Sequence, residues 1–226
     1  MLAKNQQKQQ RPIPTGAASP PTAAEVLSDL RTLHPDAGCQ LSYETPLQLL
    51  VATILMAQCS FTRVNAVTPV LFSRYKTAED YVEAARQELE QIVRPTGFFR
   101  QKARYVQGAC HMIVHEHDGQ VPDNMEQLIK LPGVSRKTAN IVLGEAFGER
   151  DGVIVDTNVI RVAQRLGLST QRHPKQIEQD LMDAFPREKW LEISHLLSFH
   201  GQRYCHNRRP ACVRCSLSDR CPGAEP

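Results

Sequence analysis

The sequence predicts an all-α protein. Apolar residues recur with a helical period along almost the whole chain from about Pro21 onward. Strand signals are nearly absent, and residues 151–156 are the one short stretch that resembles a strand. With 226 residues, of which 41% are hydrophobic, the chain can bury a sizeable core as one large domain or two small ones.

The N-terminal segment and the charge distribution restrict the functional class. Residues 1–20 are rich in Gln, Pro and Lys and contain no acidic residue, which predicts a disordered basic tail. The chain has no apolar run of membrane-spanning length and no signal-peptide stretch, so we expect a cytoplasmic protein. The net charge is only +3, but basic residues are concentrated near the C-terminus, which favours an acidic partner such as nucleic acid.

The helices of the first half follow from apolar spacing and capping residues. Val26, Leu30 and Leu33 share one face of a helix, and a second helix that ends near Gln58 is apolar nearly all round. Further helices are predicted within 60–75, 77–85 and 86–93, the middle one with a Thr-x-x-Asp capping pattern.

The helices of the middle of the chain are predicted in the same way. A long helix should be ended by Gly119, and a short one within 121–130 should be capped by Asp123. Another helix should begin at Thr157, with Asp156 as its cap.

A Leu-Pro-Gly-Val-Ser turn at 131–135 separates two predicted helices. Such a hairpin leaves the amides of Gly133 and Ser135 without intrahelical partners, beside the positive end of the following helix. This arrangement suits a phosphate group. An ordinary turn between two helices is the alternative that the motif alone leaves open.

The segments LPGVSRKTANIVLGEAF (131–147) and VDTNVIRV (155–162) carry a family resemblance. They resemble the helix-hairpin-helix and catalytic segment of the endonuclease III family of DNA glycosylases, and the likeness extends from about residue 21 to 221. It implies that the hairpin holds a DNA phosphate, that Lys137 attacks the sugar and that Asp156 assists. The chain departs from the family pattern at Ser135, where a second hairpin glycine is usual, and at Asn158, where relatives often have His.

Physical arguments support Lys137 as a nucleophile. The positive end of a helix and the neighbouring Arg136 both disfavour its charged ammonium form, although a lysine that only contacts phosphate remains an alternative. A carboxylate held rigidly by its capping bonds, as expected for Asp156, could accept a proton or stabilise a sugar cation. The family resemblance, and not the sequence pattern, implies that Asp156 faces Lys137.

Four cysteines near the C-terminus form a second motif. Their C-x6-C-x2-C-x5-C spacing could serve zinc or a 4Fe-4S cluster, since both accept four thiolate ligands. The resemblance to the cluster loop of the family implies the 4Fe-4S cluster. The loop between the first two ligands carries Arg208 and Arg209, which we expect to bind DNA phosphates. The ligands would be Cys205, Cys212, Cys215 and Cys221.

Further DNA contacts follow from the resemblance. Gln58 matches a glutamine that fills the gap left by a flipped nucleotide, and Phe98 or Phe99 matches a loop that wedges into the duplex. A solvated glutamine and a core phenylalanine are the alternatives. The predicted DNA-binding set is Gln58, Phe98, Gly133, Ser135, Arg136, Arg208 and Arg209.

The resemblance implies two helical domains with a DNA-binding cleft between them. Residues 41–149 would form a six-helix domain with the hairpin, and residues 21–40 with 150–226 would form the iron-sulfur cluster domain. The implied activity is that of a monomeric bifunctional DNA glycosylase and AP lyase, acting near the nucleoid on duplex DNA with damaged bases or abasic sites.

The base removed is expected to be an oxidised pyrimidine. Thr53 stands where adenine-specific relatives carry an acidic residue, and only five residues follow Cys221, where those relatives have a further domain. The alternatives are a monofunctional glycosylase for a mismatched or alkylated base and a DNA-binding relative without enzymatic activity. Retention of both Lys137 and Asp156 argues against the last.

Overall fold

The computed structural model describes residues 19–225 and confirms the all-α prediction for that part of the chain. Residues 151–156, where a strand was conceivable, are irregular and lead directly into a helix. No helix between 19 and 225 has the length and apolar character needed to cross a bilayer. The helices are α1 Ala23–Leu33, α2 Pro46–Leu55, α3 Phe61–Arg74, α4 Ala78–Glu83, α5 Arg86–Val93, α6 Phe99–Glu116, α7 Met125–Leu128, α8 Arg136–Val142, α9 Thr157–Arg165, α10 Pro174–Ala184 and α11 Trp190–Arg203.

Most helix boundaries lie at the residues that the sequence signals indicate. Thr77 and Asp80 form the predicted capping box at α4, and Asp156 caps α9. Gly119 has a φ of +76° and donates its amide to the Ile113 carbonyl at 3.0 Å, which completes the end of α6. The prediction that Asp123 caps α7 was wrong. This helix starts at Met125, and its cap is Asn124, which accepts from the Gln127 amide.

Two separate groups of buried side chains form the interior. The first surrounds α2 and includes residues of the helices from α3 to α8. The second joins α1 to α9, α10 and α11 and takes in Leu217 from the C-terminal loop. The domain boundaries given above stay a prediction, and Ile154 packs in the first core although it lies beyond residue 150.

An ion pair between the exposed Arg136 and the buried Glu178 connects α8 of the first core with α10 of the second. The Arg136 guanidinium donates to Glu178 at 2.9 Å, and the Asn140 amide donates to the same carboxylate at 3.0 Å. Glu178 is only 6% exposed, so the charge of Arg136 is what makes its burial tolerable. A Cβ at Gly152 would lie 1.9 Å from a Glu178 oxygen, so a larger residue there would displace this carboxylate from its partners.

Candidate active site

A pocket between the two cores contains both residues of the predicted catalytic pair. Lys137 reaches it from α8 and Asp156 from the start of α9, so the fold brings together groups from two different elements. Its walls combine apolar and polar side chains, a mixture that can enclose a base while orienting a sugar. They include Gln40, Met56, Phe61, Ile141, His195 and Ser198.

The predicted turn at 131–135 is present between α7 and α8. Gly133 has a φ of +80°, and a Cβ there would lie 2.8 Å from the Tyr105 Cβ, so glycine is needed both for the turn and for the close approach. The Val134 amide donates to the Leu131 carbonyl at 3.1 Å. Within residues 19–225, the amides of Gly133 and Ser135 have no protein acceptor, so they can bind an external oxygen.

The Ser135 departure has a structural explanation. Ser135 is the N-cap of α8, and its hydroxyl accepts from the Thr138 amide at 3.2 Å. Serine caps a helix at least as well as glycine, so the substitution stabilises the first turn that carries Lys137. Ser135 is exposed and retains its backbone amide for a ligand.

Arg136 lies beside Lys137 in sequence, but its guanidinium is paired with carboxylates outside the catalytic pocket. Its guanidinium is bonded to the buried Glu178 carboxylate and also lies 3.9 Å from Asp151. A DNA contact by Arg136 stays a prediction, and it would have to share this guanidinium with Glu178.

Asp156 is held by hydrogen bonds at both carboxylate oxygens. Oδ1 accepts from the amides of Asn158 and Val159, each at 2.8 Å, and Oδ2 accepts from the Ser198 hydroxyl at 2.8 Å. The expected cap is therefore present, and a half-buried carboxylate with three donors is rigidly oriented. Ser198 lies on α11 and was not anticipated, because no local pattern connects it to Asp156.

Asn158, the second departure, packs against α11 and not into the pocket. Its Oδ1 accepts from Arg161 at 2.8 Å, and its Cβ lies 2.6 Å from the position that a Cβ on Gly201 would take. The Arg161 guanidinium also donates to the Gly201 carbonyl at 2.8 Å. Asn158 thus helps to fix α9 against α11.

His195 is a pocket residue that the sequence analysis missed. Its Nε2 lies 2.5 Å from a Glu145 oxygen, and both side chains are mostly buried. Glu145 belongs to a π-helical segment, Leu143–Phe147, that continues α8. Such widened turns often occur at functional sites, but neither the π-helix nor a pair fifty residues apart leaves a local sequence signal.

The two residues predicted to probe the duplex are both exposed and both have left-handed backbones. Gln58 has a φ of 52° and follows the end of α2, and Phe98 has a φ of 47° and precedes α6. Phe98 is 66% exposed, whereas Phe99 packs against the first core. Of the two phenylalanines, only Phe98 is therefore placed to reach a ligand.

The four C-terminal cysteines line a single pocket with His200 and Arg165. No three His, Cys, Asp or Glu side chains of the described chain come close enough together to bind one metal ion. Burial raises the pKa of the Cys221 thiol to about 11, which favours the neutral form of this thiol. In the loop between Cys205 and Cys212, Arg208 and Arg209 are exposed, and neither forms an ion pair with any residue in the range 19–225.

A chain of buried imidazoles leads away from this cysteine pocket. His200 Nε2 lies 3.6 Å from the Cys215 sulfur, and His200 Nδ1 lies 3.2 Å from His34 Nε2. Burial lowers the pKa of His200 to about 4, so its ring is neutral at neutral pH. A thiolate at Cys215 would require a proton on His200 Nε2, and His200 Nδ1 would then accept from His34.

Comparison with known proteins shows which family the chain belongs to. Residues 51–187 match the family model described as HhH-GPD superfamily base excision DNA repair protein. The chain is 52% identical to endonuclease III of Synechocystis sp. over 203 residues, covering 90% of this chain and 93% of that protein. It is 39% identical to endonuclease III of Bacillus subtilis, covering 86% and 89% of the two chains.

A solved structure is similar as well. The structure of a trapped endonuclease III–DNA covalent intermediate, in an estranged-adenine complex, superposes with a TM-score of 0.84 at 40% identity. The match covers 88% of this chain and 93% of that chain. The family model covers residues 51–187, and the similar sequences and structure cover most of the chain, so the chain belongs to the endonuclease III family of the HhH-GPD superfamily of base excision DNA repair proteins.

Proposed function

We propose that this chain is a bifunctional DNA glycosylase and AP lyase in which Lys137 is the nucleophile and Asp156 its acid-base partner. The observation that carries the proposal is that both side chains line one pocket between the two cores. Placing a nucleophile and a carboxylate in one partly enclosed pocket is the arrangement that covalent base excision requires.

The reaction begins with a damaged nucleotide turned out of the duplex into the pocket. The neutral Lys137 amine attacks the sugar C1′, the bond from C1′ to the base nitrogen breaks, and the base leaves with a proton. The sugar ring opens to give an iminium that joins Lys137 to C1′. Loss of a C2′ proton then expels the 3′ phosphate by β-elimination, and water finally hydrolyses the iminium to release the enzyme.

Asp156 contributes a fixed negative charge to this sequence. Its two oxygens already accept three hydrogen bonds, so the carboxylate keeps its orientation while positive charge develops on the sugar. An ionised carboxylate in the pocket can also take up the proton that Lys137 must lose before it attacks. Ser198 is a positioning residue in this scheme, because it acts through Asp156.

The substrate proposed is an oxidised pyrimidine in duplex DNA. Thr53 is 3% exposed, and its hydroxyl donates to the Leu50 carbonyl at 2.7 Å, so α2 presents no acidic side chain at this position. A panel of duplexes is the test, each carrying one oxidised pyrimidine, a thymine mismatched with guanine, or an adenine opposite oxidised guanine. Excision of oxidised pyrimidines at least about tenfold faster than the others is expected; preference for either alternative would contradict the proposal.

Damaged duplex DNA is the proposed partner, and one chain suffices to act on it. Lys137 and Asp156 come from the same chain, so the pocket needs no second copy. We propose that residues 41–149 form one domain and that residues 21–40 and 150–226 together form the other. The pocket would then lie in the cleft between the two domains. The DNA substrate would locate the protein at the nucleoid.

The four C-terminal cysteines are proposed to hold a 4Fe-4S cluster. A single zinc ion would draw its four sulfurs to about 3.8 Å from one another, given zinc–sulfur bonds of about 2.3 Å. The cysteines share one pocket, yet no three ligand side chains in the described range are arranged to bind one metal ion, which fits a larger group whose metal atoms each take one thiolate. Once bound, the cluster supplies a cross-link that fixes the ends of the loop carrying Arg208 and Arg209.

The purified protein is expected to contain iron and acid-labile sulfide and to absorb in the visible range. Cys212→Ser should lower metal content and duplex affinity together, because losing a ligand unfolds the loop. Cys110→Ser serves as the control, since Cys110 is a buried core residue outside the cysteine pocket. Stoichiometric zinc without iron in active protein would contradict the cluster assignment.

Replacing Arg208 and Arg209 by Ala should weaken binding to any duplex and reduce its salt dependence. Each phosphate contact releases about 0.9 counterions, so the slope of log K against log salt should fall by about 2 for the pair. The relative rates for different lesions should hardly change. Arg31→Ala is the control, because the Arg31 guanidinium is bonded to Glu192 and is not free to bind phosphate. An unchanged slope with altered lesion preference would show that these arginines contact bases.

A further inference from the structure

Within the described residues, Lys102 on α6 is a buried lysine without a carboxylate partner. The residue is 3% exposed, and its Nζ donates to the carbonyls of Leu55 and Thr96, each at 2.7 Å. Burying an ammonium group is costly, and two neutral carbonyls offset that cost less well than a carboxylate would. Stability alone is therefore a poor reason for a lysine at this position.

The two carbonyls belong to the two segments that carry the predicted duplex-probing residues. Leu55 is the last residue of α2, three positions before Gln58. Thr96 ends the turn 94–96 and lies two positions before Phe98. One ammonium group thus joins the bases of two loops that are 41 residues apart in sequence, as counted from Leu55 to Thr96.

Each carbonyl is available to Lys102 because the chain departs from a regular helix there. The Cys59 amide, which would bond to Leu55 in a continued helix, donates instead to the Met56 carbonyl at 3.0 Å. At the other segment, no backbone amide of the described residues donates to the Thr96 carbonyl, because the chain turns at Gly97 before α6 begins. Lys102 consequently satisfies two buried acceptors that local structure leaves open.

Both loops contain an unfavourable backbone conformation at their tips. Gln58, Phe98 and Asp118 are the non-glycine residues with positive φ in the described part of the chain, and two of these three are the probing residues. A left-handed conformation costs a non-glycine residue about 1 kcal/mol, so it persists only where surrounding contacts impose it. The acceptors of the lysine bonds lie three residues before Gln58 and two residues before Phe98.

We infer that Lys102 is a positioning residue that fixes the spacing between the Gln58 and Phe98 loops, so that both side chains enter the duplex together when a nucleotide is turned out. The inference rests on the proposed function, because it assigns the two loops to DNA. Lys102 itself lies beneath the surface and touches neither DNA nor the reacting atoms. Its effect must therefore appear in the opening of the duplex and not in the chemical step.

The test compares two substrates for Lys102→Met, which keeps the length of the side chain but removes its donors. The first is a duplex with one damaged base, and the second has an abasic site inside an unpaired bubble, where no stacked base must be displaced. Single-turnover base release from the duplex is expected to fall about 10- to 100-fold, as for a misplacement of about 1 Å. Strand cleavage at the bubble should stay within about threefold of the wild type.

A duplex with 2-aminopurine beside the lesion gives an independent readout, since its fluorescence rises on unstacking. The rise should be slower in Lys102→Met and unchanged in Lys130→Met, whose lysine is exposed on the surface. In a Gln58→Ala, Phe98→Ala background, adding Lys102→Met should slow base release by less than about twofold, because residues that act as a unit are not additive. Full additivity would overturn the inference.

Equal loss on both substrates would also overturn it, since that result indicates a general structural role. If Lys102→Met does not fold, Lys102→Arg takes its place, because it keeps the positive charge and the donors but moves the donors away from the two carbonyls. The inference then requires that Lys102→Arg slow base release from the duplex but not cleavage at the bubble. Failure of the proposed function is distinguishable, because the wild type would then cleave neither substrate.

Discussion

Replacing Lys137 by Gln is expected to reduce both base release and strand cleavage by about 10⁴-fold or more, a loss typical of removing a catalytic nucleophile. Glutamine has no basic amine and cannot form the iminium. Duplex affinity should remain within about threefold, because the amides of Gly133 and Ser135 can hold a phosphate without the side chain. Single-turnover kinetics on a damaged duplex and equilibrium titration of the same duplex measure the two effects.

Lys175→Gln is a closely matched control. Lys175 is the second residue of α10, as Lys137 is of α8, and both residues are exposed. Lys175 does not line the pocket that contains Asp156. Its replacement should leave base release unchanged, and a comparable loss in both variants would mean that general positive charge, not a nucleophile, explains the effect.

Asp156→Asn is expected to slow base release by about 10²-fold, within the range for a positioned acid-base group. The amide oxygen can still accept from the Asn158 and Val159 amides, so the cap of α9 is kept while the negative charge is lost. Thermal unfolding should be close to that of the wild type. Base release in single turnover, measured well below the unfolding transition, isolates the effect of the charge.

Variants of Asp156 and of its hydrogen-bond donor Ser198 separate the capping role of Asp156 from its catalytic role. Asp156→Ala removes the cap as well and should destabilise the fold by about 1 kcal/mol beyond Asp156→Asn. Ser198→Ala removes only the hydrogen bond to Asp156 Oδ2 and keeps the negative charge of Asp156. It should therefore slow base release less than Asp156→Asn does. Wild-type rates for Asp156→Asn would show that Asp156 is a helix cap alone.

Local features of the site could be predicted from sequence because short-range physics determines them. The Pro-Gly hairpin, the α8 start at Ser135 and the Asp156 cap each depend on residues within a few positions. The same reasoning missed the cap of α7 by one residue, because Asp123 and Asn124 are both suitable cap residues and only the path of the chain selects Asn124.

Contacts between distant segments had no comparable signal. Ser198 lies 42 residues from Asp156, Glu178 lies 42 residues from Arg136, and His195 lies 50 residues from Glu145. The Arg136–Glu178 and Glu145–His195 pairs form only where helices of the two cores meet, and the Asp156–Ser198 pair forms only where α9 packs on α11. Periodicity does not specify which helices meet. The choice between Phe98 and Phe99 likewise depends on packing, since Phe99 faces the first core.

The central claim is that Lys137 becomes covalently attached to the sugar of the damaged nucleotide. Borohydride added during turnover reduces the iminium to a stable amine, and mass spectrometry of the digested adduct identifies the modified residue. For the wild type we expect an adduct on the peptide that contains Lys137, and for the Lys137→Gln variant we expect no adduct. Base release by the wild type without any adduct, or an adduct on another residue, would contradict it.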